Sequence, residues 1–208
     1  MIILLGSQKG GCGKSTLAVN IATELSRLGK DVVLVDADRQ GTASRWAQDR
    51  AETTKCPVHC VAQFENIKPS LLDLSGRYDF VIVDVAGRDN RELRTGMAVA
   101  DILLTPFRPS QPDLDTLPHL VEVITRALDL NPNLKCKAVL TLASSNPQVN
   151  ESQEAMEYLN SYPEIELSRT VIRDRKAYRD AISEGLGVVE WKDSKAAGEI
   201  QKLVQELI

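Results

Sequence analysis

The chain has 208 residues, 43% hydrophobic and 26% charged, which suffices for one sizeable core and not for two large domains, so residues 1–208 are expected to form a single domain. Its longest apolar runs, residues 1–5 and 80–83, fall far short of the roughly 20 residues that cross a bilayer. A formal net charge of −4 means the molecule as a whole does not attract nucleic acid or anionic lipid, and leaves such binding to a local patch.

Taken in chain order, the apolar opening at residues 2–5 reads as a strand. It lacks a basic leader and a small-residue cleavage site, so the chain is expected in the cytoplasm. The strand runs into Gly6-Ser7-Gln8-Lys9-Gly10-Gly11-Cys12-Gly13-Lys14-Ser15-Thr16. A helix over 15–28 follows, with Ala18, Ile21, Ala22, Leu25 and Leu28 on one stripe and Gly29 as its stop. Further β-branched runs at 32–35, 80–83, 102–105, 138–142 and 167–172 suit strands buried on both faces of a parallel sheet. Helical patterns fall near 115–128, with Pro118 in the first turn, and at 151–159, 176–184 and 194–207. Strands alternating with helices predict an α/β fold, a doubly wound, mostly parallel sheet flanked by helices. The stretch 105–118 reads as a loop, and loops at the carboxyl ends of such strands hold ligands.

The four cysteines, Cys12, Cys56, Cys60 and Cys136, are too few and scattered for a disulfide framework and read as free thiols. Cys56-Pro-Val-His59-Cys60 offers at most three ligands in five residues, without a second pair, and reads against zinc. Trp46 and Trp191 read as core or interface anchors.

A glycine-rich turn between strand and helix is the setting a phosphate loop requires. Without Cβ atoms its N–H groups can converge on an anion, and the helix N-terminus adds partial positive charge. In that pattern Lys14 reaches the β and γ phosphates, the Ser15 hydroxyl serves Mg²⁺, and Thr16 reaches the α phosphate. Two further segments, Asp36-Ala37-Asp38-Arg39-Gln40-Gly41 and Asp84-Val85-Ala86-Gly87, place carboxylates at the ends of buried strands. Burial there is costly unless a cation or hydrogen-bond donors are at hand.

Gln8 stands where the generic loop has its first glycine, and the segment instead reads K-G-G-x-G-K-S-T with Lys9 at its head. This resembles the deviant Walker A motif of the ParA/MinD family of ATPases. The likeness covers nearly the whole chain and is greatest to short partition ATPases such as ParF. It implies a P-loop NTPase fold, with ATP and Mg²⁺ held by Lys9, Gly10, Gly11, Cys12, Gly13, Lys14, Ser15 and Thr16. It further implies Asp36 near the metal shell, Asp84 as the acid that holds Mg²⁺ through water, and Asp38 orienting the attacking water. Lys9 would reach the partner's nucleotide across a two-fold interface, so ATP would join two subunits and hydrolysis would part them. The family usually carries Pro after its second aspartate, where this chain has Arg39, a departure that bears on the hydrolysis rate.

Between residues 169 and 179 lie Arg169, Arg173, Arg175, Lys176 and Arg179, against the single acid Asp174. The resemblance suggests nonspecific DNA binding through phosphates, strengthened when dimerisation doubles the contacts; a solvated charged surface is the plain alternative. A ParB-like or ParG-like centromere-binding adaptor is the expected partner in segregating plasmid or chromosome DNA. A MinD-like membrane-surface ATPase would need a cation-rimmed amphipathic helix at its end. The segment 196–208 instead carries Ile200, Leu203, Val204 and Leu207 beside Glu199 and Glu206, and reads as a packing helix without stable membrane association. A P-loop redox or metabolic enzyme with a shared cluster would need paired cysteines.

Overall fold

The computed structural model describes residues 1–146 and 150–208. Seven strands are present among them: β1 (Ile2–Leu5), β2 (Val32–Ala37), β3 (His59–Ala62), β4 (Phe80–Val85), β5 (Ile102–Phe107), β6 (Lys135–Ala143) and β7 (Glu166–Arg173). They form one sheet in the order β3-β2-β4-β1-β5-β6-β7, and every pairing is parallel. Both faces of the sheet are covered, which explains the unbroken apolar runs. Ile2 and Leu4 face one core while Ile3 and Leu5 face the other.

One face carries α1 (Lys14–Arg27), α2 (Thr42–Ala51), α8 (Lys176–Ser183) and α9 (Ser194–Leu207). The other carries α3 (Lys68–Ser75), α4 (Arg91–Met97), α6 (Leu117–Leu128) and α7 (Glu151–Asn160), with the short α5 (Gln111–Leu114) leading into α6. Ile200, Leu203, Val204 and Leu207 of α9 are all buried, so the apolar stripe read from the sequence belongs to the core.

Several elements differ from the sequence reading. β3 was not expected, because an edge strand with three of its four residues exposed carries no run of apolar side chains. α2 escapes a periodicity reading because one of its three buried positions is Arg50, beside Ala43 and Trp46. α3 buries only Leu71, and α4 depends on the Asn90 side chain accepting from the Leu93 N–H at 2.8 Å. The stretch 105–118 is not one loop. β5 runs on to Phe107, and Gln111–Leu114 is helical. Pro106 is tolerated because it lies beyond Leu104, the last β5 residue paired with β1, where β5 pairs with β6 alone.

From β1 the chain crosses to β2 and β3, returns to β4 beside β1, and then leaves to β5 on β1's other side. The connections therefore reverse around β1, and in open α/β sheets the ligand crevice opens at the strand ends there. Leu5 is level with Asp84, and Asp84 with Asp36. This register puts the glycine loop and two carboxylates side by side.

Candidate functional site

A cavity of about 620 Å³ opens at these strand ends. Its floor is the glycine loop, where Gly11 (φ 74°) and Gly13 (φ 92°) adopt left-handed backbone that other residues enter only at a cost. Gly13 caps α1, so the first turn of a 14-residue helix points its free N–H groups at the cavity. Arg108, from the loop after β5, donates to the Gly11 carbonyl. Thr141 Oγ1 in β6 donates to the Cys12 carbonyl at 2.7 Å. The loop is thus tied from two strands outside its own.

Lys14 is buried, its Nζ donating to Ser7 Oγ at 2.9 Å and to the Lys9 carbonyl at 3.0 Å. Lys9 gives this loop its carbonyl. Its half-buried side chain is not among those that line the cavity and, among the described residues, has no ion pair. Cys12 is buried against Ser7 Oγ at 3.1 Å, so it is a packed residue that alkylation reaches only if the loop opens.

The three aspartates divide. Asp36 accepts backbone N–H groups from Asp38 at 3.2 Å and from Ser44 at 2.8 Å, so it pins the loop after β2 to the first turn of α2. Asp38 lines the cavity and accepts from the Gln40 N–H at 2.9 Å. Asp84 is fully buried, and neither carboxylate oxygen has a hydrogen-bond partner. Burial pushes its pKa up to about 7. Ser15 and Lys14 nearby oppose the rise, while Asp36 and Asp38 reinforce it. A carboxylate buried so deeply is costly unless a cation or further donors meet it.

Of the residues read from the sequence, Gly10, Gly11, Gly13, Lys14, Ser15, Thr16 and Asp38 line the cavity, while Cys12, Asp36 and Asp84 lie buried around it. Sequence reasoning gave no role there to Gln40, Thr42, Ala86, Gly87, Arg88 or Leu142, which complete the lining with Arg39, marked in the sequence only as a departure that bears on the hydrolysis rate. Leu142 adopts φ 52°, a left-handed backbone that no sequence signal marks in a leucine.

Gly87 does carry such a signal, since it follows the strand-end Asp84 by three residues. A Cβ there would stand 2.2 Å from the Lys9 oxygen and 2.5 Å from the Gly10 nitrogen. Gly87→Ala is therefore expected to displace the glycine loop and weaken nucleotide binding about tenfold or more. Calorimetry checks this against Gly76→Ala, whose Cβ would meet only an ordinary 3.5 Å contact. Equal affinities for both variants would contradict the packing argument.

The basic cluster looks different in three dimensions. Arg175 pairs with Glu199 at 2.7 Å, Arg179 with Asp174 at 2.8 Å and Lys176 with Asp180 at 3.1 Å. The Arg173 guanidinium donates to the Ser144 carbonyl at 2.6 Å. The count of five cations against one acid was thus a property of the linear segment, because α9 and α8 bring in further carboxylates. Among the described residues, Arg169 has no ion pair. Neither do Lys195 and Lys202, which line the same groove between β7 and α9.

The sequence profile of the CobQ/CobB/MinD/ParA nucleotide binding domain matches residues 3–188. The chain belongs to this family. Among CobQ/CobB/MinD/ParA relatives, the maintenance of carboxysome distribution protein A of Halothiobacillus neapolitanus is 30% identical over 99% of this chain and 95% of its own length. The chromosome-partitioning ATPase Soj of Thermus thermophilus is 30% identical over 66% of this chain and 67% of its own. The fold of an aspartate-to-alanine variant of McdA from Cyanothece, in complex with ATP, superposes with a TM-score of 0.79 at 16% identity, covering 99% and 95% of the two chains. The MinD fold in the MinC:MinD complex of Aquifex aeolicus gives 0.77 at 18% identity, covering 99% and 94%.

Proposed function

We propose that this chain is a ParA-like ATPase that binds ATP with Mg²⁺, forms a homodimer around the nucleotide and hydrolyses it slowly to position a cargo on DNA. The observation that carries the reading is Asp84, a fully buried carboxylate at the strand end level with the start of a glycine loop built for anions. With the Ser15 hydroxyl beside it, this oxygen donor set fits a hard divalent cation. Mg²⁺, when bound, supplies charge neutralisation at the phosphates. The chain's own residues do the rest. Loop N–H groups and the α1 terminus orient the phosphates, and Lys14 exchanges its loop oxygens for phosphate. Asp38 accepts a hydrogen bond from the attacking water. Lys9, which is not among the residues that line the cavity, serves the partner's nucleotide.

Sedimentation with ATP, with ADP and without nucleotide tests this. A dimer formed only with ATP and lost in Lys9→Ala is expected; an oligomeric state indifferent to nucleotide overturns it.

Nonspecific DNA is the surface on which we place the dimer, bound through phosphates. Because Arg175 is held in a largely buried pair with Glu199, the groove cations Arg169, Lys195 and Lys202 are assigned the main contacts. Replacing these three by alanine is expected to lower the ATP-dependent affinity for plasmid DNA about tenfold or more and to flatten its salt dependence. Arg175→Ala should change it little. Filter binding across a salt series decides, and the reverse ranking would return the contact to Arg175, Lys176 and Arg179.

A centromere-binding adaptor that stimulates hydrolysis completes the partition reading, with plasmid or chromosome DNA as cargo. Two carboxysome distribution proteins match this chain over 99% of its length, which supports a second reading in which the cargo is a protein-bounded body. α9 supports neither a membrane surface nor a lipid partner, since its apolar stripe is committed to the core.

A further inference from the structure

Three cationic side chains line the nucleotide cavity, Lys14, Arg39 and Arg88, and Asp38 is the carboxylate among the lining residues. Arg39 is the one held elsewhere. Its guanidinium lies over the Phe64 ring at 5.0 Å from the centroid, and Nη2 reaches Glu65 Oε1 at 3.3 Å. The other oxygen of Glu65 takes Arg91 Nη1 at 3.4 Å. Glu65 therefore joins the loop after β2, which carries Arg39, to the start of α4, which follows the Gly87 and Arg88 loop. It is anchored for this by its own N–H, which donates to Glu92 Oε1 at 3.0 Å.

Both ion pairs are long and exposed. Arg39 is 68% and Glu65 60% accessible, and such pairs contribute little because water and ions compete for them. A phosphate competes better, since the planar guanidinium fork matches two phosphate oxygens at once. Arg39 follows Asp38 on the wall formed by the loops after β2 and β4, where the aspartates lie.

We propose that Arg39 is a terminal-phosphate contact, held on Phe64 and Glu65 until a triphosphate draws it into the cavity, so that it discriminates ATP from ADP. This rests on the nucleotide-binding reading above and adds to it the residue that senses the γ phosphate.

The test is calorimetric affinity for MgATP and MgADP in Arg39→Ala, Arg39→Lys, Glu65→Gln and the Arg39→Ala/Glu65→Gln double variant. Arg39→Ala is expected to weaken MgATP about ten- to a hundredfold and to leave MgADP within about twofold, its unchanged ADP affinity reporting an intact fold. Arg39→Lys should recover part of the loss, because it restores charge without the fork. Glu65→Gln should tighten MgATP by up to about fivefold, and only when Arg39 is present. If the wild-type chain binds MgATP and Arg39→Ala leaves the ATP-to-ADP affinity ratio unchanged, Arg39 is not the sensor, although the nucleotide reading survives. If the wild-type chain shows no magnesium-dependent ATP affinity, both readings fall together.

Discussion

Replacing Arg50 by alanine is expected to lower the unfolding free energy by about 3–5 kcal/mol. Arg50 is 2% exposed in α2, yet each of its three guanidinium nitrogens has a partner. Nη1 and Nη2 reach the two oxygens of Glu190 at 2.9 and 3.0 Å, Nε donates to the Cys56 carbonyl at 2.8 Å, and Nη1 also reaches the Gly185 carbonyl at 3.2 Å. The guanidinium also lies over Trp46, 5.2 Å from the ring centroid. Truncation strands Glu190 and two carbonyls in a largely buried site, and that stranded cost is larger than the net contribution of the pair.

For a chain of this size the loss corresponds to a fall in Tm of roughly 10 °C. Urea unfolding measures it, and a change below about 1 kcal/mol would contradict the packing argument. The pH dependence follows from Glu190. Burial raises its pKa, but the Arg50 hydrogen bonds, the Gly187 N–H and the charges of Arg50 and Lys55 outweigh that and leave it below the ordinary 4.5. A depressed carboxylate contributes fully above its unfolded pKa and loses its contribution as pH falls through the folded one. In Arg50→Ala burial alone raises the Glu190 carboxyl, so the difference between wild type and variant should be largest at neutral pH and shrink as pH falls, beginning above 4.5.

Asp84→Asn is expected to act with opposite sign on stability and function. The Asp84 pKa is raised from 3.8 to about 7, so the folded protein holds a proton that the unfolded chain has released between those values. Wild-type stability at this group thus falls as pH rises from about 4 to 7 and is flat above. The variant lacks that penalty. Relative to wild type, and measured without nucleotide, its stability should rise by roughly 2–4 kcal/mol between pH 4 and pH 8. The other carboxylates cancel in the comparison. The same substitution should sharply reduce the gain in ATP affinity on adding Mg²⁺, because a neutral amide lacks the charge with which a carboxylate holds a hard cation. Parallel pH profiles for the two proteins would show that Asp84 is solvated or paired in solution. Such a trade of stability for function is expected where a site keeps a charge in readiness.

Much of this was legible in the residues themselves. A strand, a glycine loop with two lysines and a helix in direct succession specify an anion site, because glycine stereochemistry and helix polarity are local properties. The double-sided strands were legible for a similar reason, since burial on both faces leaves an apolar run that needs no partner to be recognised. Elements whose stability comes from elsewhere were not. Among the described strands β3 pairs with β2 alone, and α2 is held by a cation whose carboxylate lies 140 positions away.

The division runs through the site as well. Sequence by itself determined that phosphate-binding groups and acidic strand ends would occur in one chain, since backbone freedom and side-chain chemistry are written residue by residue. Tertiary structure decided which of them act together. Register between β2, β4 and β1 set Asp36 against backbone donors and left Asp84 bare, and the packing of α9 paired Arg175, a cation the linear count left free. It also brought Arg39 and Arg88 to the cavity wall, because electrostatic surroundings depend on distance through space, which the order of residues along the chain does not encode.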